Sequence, residues 1–214
     1  MTRIALIHAL AHSVTPINTE LAHAWPEATR MNLLDDSLSA DLAQSSAGLD
    51  AAMHQRFLVL GAYAVATGAN AILFTCSAFG SCIDAVAAAH PGIPVLKPNE
   101  AMVLEACQAG GRIGLVASFA GTLDSMPSEF PGGTDLRCAL TEDAMRALNE
   151  GDGDAHDRYV VQAARSLVAQ GCTVIALAQF SMARAAKSVS EAVGVPVFTK
   201  PGSAVKALRH RVKA

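Results

Sequence analysis

Apolar residues along the chain keep two rhythms. Short runs rich in Ile, Leu and Val, with no polar alternation, occur at 3–8, 70–75, 93–96, 112–117, 173–178 and 195–198. A strand covered by helices on both faces has no solvent side, so such runs predict buried strands of a parallel sheet. Between them, apolar positions at helical spacing predict helices over 48–67 and 155–170. Gly68 stops the first helix. The second opens on "GDGDAHD", where Asp154 is the expected N-cap and the acidic residues suit the positive helix end. A calcium loop is the other reading of that acidic stretch, and His156 within it is expected to face solvent. Residues 124–135, "DSMPSEFPGGTD", read as a polar, proline-rich loop, and 201–214 as a last helix packing back on the first half. The strand–helix alternation predicts an α/β fold.

Three segments recur in the same order. "RIALIHALAHS" from Arg3 returns as "RIGLVASFAGT" from Arg112, 109 positions on. "TGANAILFTCSAFG" returns as "QGCTVIALAQFSMA", with Gly68 and Gly171 separated by 103. "GIPVLKPNEAMVLEA" returns as "GVPVFTKPGSAVKAL", with Pro94 and Pro196 separated by 102. A period near one hundred is too long for a solenoid and implies two related domains. The expected division is 1–97 with 201–214, and 98–200.

Composition narrows the function classes. The 214 residues carry a formal net charge of -3 and are 51% hydrophobic, so no basic footprint marks nucleic acid or an anionic membrane as partner. No apolar run reaches the roughly 18–20 residues of a membrane helix. "MTRIALIHALA" imitates a signal peptide weakly, but its return inside the chain favours a folded strand. Five cysteines, an odd number without a CxxC or Cys/His cluster, fit reduced thiols in a cytoplasm better than disulfides or a metal site. No cofactor is implied, and a homo-oligomer stays open.

Ligands of open parallel sheets bind beyond the carboxyl ends of the strands. Those ends are His8 to Thr15, Thr75 to Gly80, Ala117 to Thr122 and Ala178 to Met182, and two facing domains would line a cleft with them. Cys76 directly follows its strand, and Ser77 and Ala78 are expected to begin the next helix. A helix N-terminus offers N–H groups to a carboxylate or enolate and favours thiolate, so Cys76 could remove a proton α to a carboxylate. The opposing reading is a packed strand-end thiol, since cysteine is among the most buried residue types. Asn99 and Glu100 read as helix-capping residues. His12, Ser13 and Asn18 could touch substrate or simply be solvated.

"ATGANAILFTCSAFGS", "KPNEA", "GGRIGLVASFAGTLDS" and "GCTVIALAQFSMARA" together resemble the aspartate/glutamate/hydantoin racemase superfamily, which also contains maleate isomerase and arylmalonate decarboxylase. The resemblance covers nearly the whole chain. It implies two similar Rossmann-like domains with parallel sheets about a pseudo-two-fold axis, and a cofactor-independent site between them. It implies Cys76 as acid/base, Thr75, Ser77 and Ala78 as the carboxylate loop, and Ser118 and Thr122 as substrate contacts from the second domain. Racemases of this superfamily use two cysteines, and here the repeat puts Gln179 opposite Cys76. An amide binds a carboxylate but is no base, and the Ser181 hydroxyl is too weak an acid to replace a thiol unaided. Three expectations follow. The first is an isomerase acting on an amino acid or dicarboxylate, with another proton carrier such as His8 acting through water. The second is a single-cysteine decarboxylase of a malonate-like acid. The third is a protein that only binds a small acid.

Overall fold

The computed structural model describes residues 2–213. Met1 and Ala214, the outer ends of the expected first domain and last helix, lie outside the described residues. Eight strands form two four-stranded sheets: β1 (Arg3–His8), β2 (Thr29–Leu34), β3 (Ala71–Phe74) and β4 (Val95–Leu96), then β5 (Ile113–Ala117), β6 (Leu136–Leu140), β7 (Val174–Leu177) and β8 (Val197–Thr199). The helices are α1 (Val14–Ala24), α2 (Ser37–Gln44), α3 (Ala51–Ala66), α4 (Gly80–Ala89), α5 (Glu100–Ala109), α6 (Ala120–Ser125), α7 (Glu142–Asn149), α8 (Gly153–Ala169), α9 (Ala186–Val193) and α10 (Lys200–Lys213). The chain divides into two compact units, Met1–Pro98 with Ala204–Ala214, and Asn99–Ser203.

Every strand pair is parallel, and the two sheets share one order, β2-β1-β3-β4 and β6-β5-β7-β8. Ile4 pairs with Ala71 in one sheet and Ile113 with Val174 in the other, which are the positions that the sequence repeat equates. The α/β fold with two similar parallel sheets is therefore as expected. All six expected strands are present. β2 and β6 were not expected. They are edge strands whose exposure alternates along "TRMNLL" and runs high along "LRCAL", so neither shows an unbroken apolar run.

In the first unit, Ile7, Ile72 and Phe74 pack against Met53, Phe57 and Ala64 of α3 and Ile83 and Val86 of α4. The second unit repeats this with α8 and α9 on one face, where Leu167, Ile175, Leu177 and Val189 meet, and with α5 on the other. Asp50 caps α3 through the Met53 N–H at 2.8 Å. Asp152, not Asp154, caps α8 through the Ala155 N–H at 2.8 Å, so α8 starts two residues before the expected position. The stretch 124–135 is not simply a loop. It contains the end of α6 and a 3₁₀ turn, Met126–Glu129, that buries Met126. Asn99 makes no cap with its side chain; its Nδ2 donates to Glu129 Oε1 at 2.5 Å. No helix among the described residues is long and apolar enough to cross a membrane.

Candidate active site

In the first unit, β1 and β3 end side by side, and the Thr75 N–H donates to Ile7 O at 3.0 Å, extending their ladder one residue past Phe74. The Thr75 side chain turns into the sheet's interior. Its Oγ1 lies 3.0 Å from His8 Nδ1 and 2.8 Å from Ser13 Oγ, which is itself 3.0 Å from Nδ1. On the other side of the ring, His8 Nε2 lies 3.0 Å from Asn32 Oδ1.

The tautomer follows from the neighbouring amides. Asn18 Nδ2 donates to Val14 O at 2.8 Å, and a carbonyl only accepts, so the orientation of Asn18 is set. Its second hydrogen goes to Asn32 Oδ1 at 2.7 Å. That oxygen is an acceptor too, so His8 Nε2 carries the hydrogen and Nδ1 accepts from a hydroxyl. Burial lowers the pKa of His8, and the bond to Asn32 opposes this. His8 is fully buried with both nitrogens engaged. It is not the cleft-facing proton carrier expected from its strand-end position; it anchors the chain one residue before Cys76.

Cys76 has extended backbone angles, φ -120° and ψ 122°, so strand alternation continues through it. Its side chain therefore points opposite to that of Thr75, onto the α3/α4 side, where it packs half-buried against the rim of the core. The helix expected at Ser77 starts later. Ser77–Phe79 form a 3₁₀ turn, and α4 begins at Gly80. The cause is Phe79, which is fully buried, its ring centroid 4.9 Å from that of Phe57. Thr75 pins the start of the turn and Phe79 its end. Cys76 and Ser77 are left half-buried and Ala78 exposed between them.

The other four cysteines lie in the bodies of elements or ahead of one. Cys82 is in α4, Cys107 in α5, Cys138 in β6, and Cys172 before β7. Burial raises the thiol pKa of Cys82, Cys138 and Cys172. None of the five is in a disulfide.

The second unit places Gln179 where the first has Cys76, again in extended conformation ahead of a 3₁₀ turn, Phe180–Ala185. Its Oε1 accepts from the Ser118 N–H at 3.0 Å, and its Nε2 donates to Thr122 Oγ1 at 2.7 Å. The amide thus ties the turn after β7 to the turn after β5. Ser118 and Ser181 are buried and Thr122 is half-buried. Each end of the Gln179 amide thus makes a bond within its own unit, which fixes the orientation of the side chain.

The structure joins His8 and Thr75 in one cluster and Ser118, Thr122 and Gln179 in another. Ser13 and Asn18 join the first cluster as internal partners, while His12 is exposed. Asn32 was not anticipated. It lies in "TRMNLL", an edge strand that periodicity had not revealed. His156, expected to face solvent, is fully buried with Nδ1 2.7 Å from Asp157 Oδ1. Among the described residues no three His, Cys, Asp or Glu side chains converge as a metal site.

Comparison with known proteins agrees with this architecture. An aspartate racemase homologue from Pyrococcus horikoshii superposes with a TM-score of 0.74 at 15% identity, covering 100% of both chains. Glutamate racemase from Thermus thermophilus gives 0.70 at 17% identity over 99% of this chain and 80% of that one. Allantoin racemase from Klebsiella pneumoniae gives 0.69 at 15% identity over 100% and 88%. A search of curated protein sequences finds no match. At such identities the likeness shows the fold alone. The sequence model described as "Asp/Glu/Hydantoin racemase", however, matches residues 11–208. The chain belongs to the Asp/Glu/hydantoin racemase family.

Proposed function

We propose that the protein is a cofactor-independent, racemase-type isomerase of a small carboxylate, in which Cys76 moves a proton at the α-carbon. One observation carries this reading: of five cysteines, Cys76 alone sits at the carboxyl end of a central strand, half-buried in a turn of small residues. The thiolate would take the α-proton to give an enediolate, and a second donor on the opposite face, a side chain or water, would deliver the proton that completes the inversion. Ser77 and Ala78 leave the backbone of the turn open to a carboxylate. Thr75, locked to His8 and Ser13, positions the cysteine backbone and does not itself meet the substrate. Cysteines outside disulfides suit a reducing compartment, so a cytoplasmic location belongs to the same proposal.

Gln179 makes the usual two-thiol racemisation unavailable, because an amide cannot exchange a proton near neutrality. That observation favours a second reading, decarboxylation of a malonate-like acid, where the enediolate left by carbon dioxide needs only one proton donor. Incubation with small carboxylates in deuterium oxide separates the two. Deuterium entering the α-carbon with inversion of configuration marks the isomerase, and carbon dioxide from a disubstituted malonate marks the decarboxylase. General acid–base groups typically contribute about 10²- to 10⁴-fold, so Cys76→Ser is expected to slow either reaction by that much. Binding of a small acid with no exchange, and no effect of Cys76→Ser, would leave only the non-catalytic binding role.

A further inference from the structure

Helices α3 and α8 are the same element in the two halves of the duplication, and they bury matching positions. Met53, Phe57, Gly61 and Ala64 face inward from α3, and His156, Val160, Ala164 and Leu167 from α8. Their outward faces differ. Along α8 the exposed stripe runs Asp154, Arg158, Gln162, Arg165, Ser166 and Ala169, an ordinary solvated face. Along α3 it runs Ala52, Gln55, Val59, Ala62, Tyr63 and Ala66 and carries no charge. At its centre Val59 is 57% and Tyr63 55% exposed, where α8 has Gln162 and Ser166. Single exposed apolar residues are ordinary. A contiguous apolar face that is polar in the duplicate copy is not, because the core beneath makes no demand that separates the two; such a face marks a contact surface.

The neighbouring helix α4 shows the same contrast with its counterpart α9. It packs directly on α3, since a Cβ at Gly61 would lie 2.5 Å from Val86 Cγ1. Its exposed Ala88 stands where α9 has Glu191, which pairs with Lys187 at 3.9 Å. The charges that border the α3/α4 face are already matched inside the chain: Arg56 with Asp35 at 2.7 Å, and Asp84 with Lys97 at 2.7 Å. An apolar centre inside a paired, polar rim is the anatomy of a protein interface.

The order of residues along α3 says what covers it. Gln55 and Tyr63 lie four positions either side of Val59, and Ala52 and Ala66 seven. Two antiparallel copies about a two-fold axis at Val59 would set Val59 on Val59, the Gln55 amide beside the Tyr63 hydroxyl, and Ala52 against Ala66, the small residues letting both ends close. In such an isologous contact any residue on the axis meets its own copy. A charge there would face like charge, and the stripe has none. The area also suits a second copy. The 16 residues of α3 span roughly 24 Å at 1.5 Å per residue. With α4 alongside, the face is about 20 Å wide, so two copies would cover on the order of 1,000 Å², the lower bound of a specific interface.

We propose that the chain forms a two-fold symmetric homodimer through α3 and α4 of its first unit, with Val59 on the axis and α8 and α9 left in water. The inference does not depend on the reading of Cys76. Sedimentation of the full chain from nanomolar to high micromolar concentration tests it, and the wild type is expected to pass from monomer to dimer. Val59 is exposed, so Val59→Lys and Val59→Glu should keep the wild-type melting temperature. Each sets like charges face to face and should weaken association by about a hundredfold or more. Mixing the two variants should restore the dimer, because lysine then faces glutamate. Gln162→Lys, at the matching position of α8, should change nothing. A wild type that stays monomeric throughout would overturn the proposal and leave the face to a different protein. A dimer that survives both Val59 variants would overturn the α3 contact, and a mixture that stays monomeric would overturn the two-fold axis at Val59.

Discussion

His8 shows how the role of a strand-end residue is decided by its surroundings. His8 ends β1 as a candidate proton carrier by type, yet burial favours its neutral form and three side-chain partners convert it to an anchor. The consequence is measurable. Its pKa in the folded state lies below the ordinary 6.5, so the unfolded chain binds the proton more readily. Full stabilisation from neutral His8 is therefore present above about pH 6.5 and is lost as pH falls from there through the lower folded value. Urea denaturation of the wild type between about pH 7.5 and about pH 5 should show stability falling toward acid. His8→Gln should be less stable at neutral pH by about 1–3 kcal/mol, since it strands buried partners, and should flatten that pH dependence. An unchanged slope in the variant would remove His8 from this role. Cys76, half-buried and beside small neighbours, should tolerate serine with little loss of stability, which separates its chemistry from its packing.

Between elements, the close approach of α8 to β5 depends on a missing side chain. A Cβ at Gly114 would lie 2.8 Å from Ile175 Cδ1, 3.0 Å from Leu167 Cδ1 and 3.1 Å from Leu167 Cβ. The Leu167 Cβ cannot swing away, so β5 or α8 would have to move. Gly114→Ala is expected to cost about 1–3 kcal/mol, the usual range for overpacking a filled core. Thermal melts would check it, and a neutral or stabilising effect would mean the sheet–helix spacing is softer than the packing implies. The first unit carries Ala5 at the matching strand position, fully buried. The two copies therefore tune the same layer with different residues. The edge strands β2 and β6 follow a second logic. Each is covered on one side only, so polar residues such as Asn32 and Arg137 alternate into them, and Asn32 becomes a partner for His8.

Across the whole molecule, the boundary between units falls inside α10, between Ser203 and Ala204, so the last helix returns the chain to the first unit. Ala204, Val205 and Leu208 are buried, and Arg209 donates to Ala24 O at 2.9 Å. Leu208→Ala should lower stability by about 2–5 kcal/mol, the range for truncating a fully buried leucine. A denaturation midpoint left in place would mean that the helix docks without contributing to the fold.

How far the sequence reached can be traced on particular segments. The six buried strands were legible because a strand shielded on both faces leaves an unbroken apolar run. The duplication was legible because Gly68, Gly171, Pro94 and Pro196 hold backbone positions that little else can occupy. The same repeat aligned a thiol, Cys76, with an amide, Gln179. The sequence also pointed to the family, which the match over residues 11–208 established. What it could not reach were the partners of each polar group. His8 meets Asn32 across 24 positions and Thr75 across 67, and nothing local in the chain marks such pairings. Periodicity records only whether a residue faces core or water, averaged over one element. Whether a histidine titrates or anchors, or a serine binds ligand or a neighbour, is settled by contacts between elements far apart in the chain, and those exist only after folding.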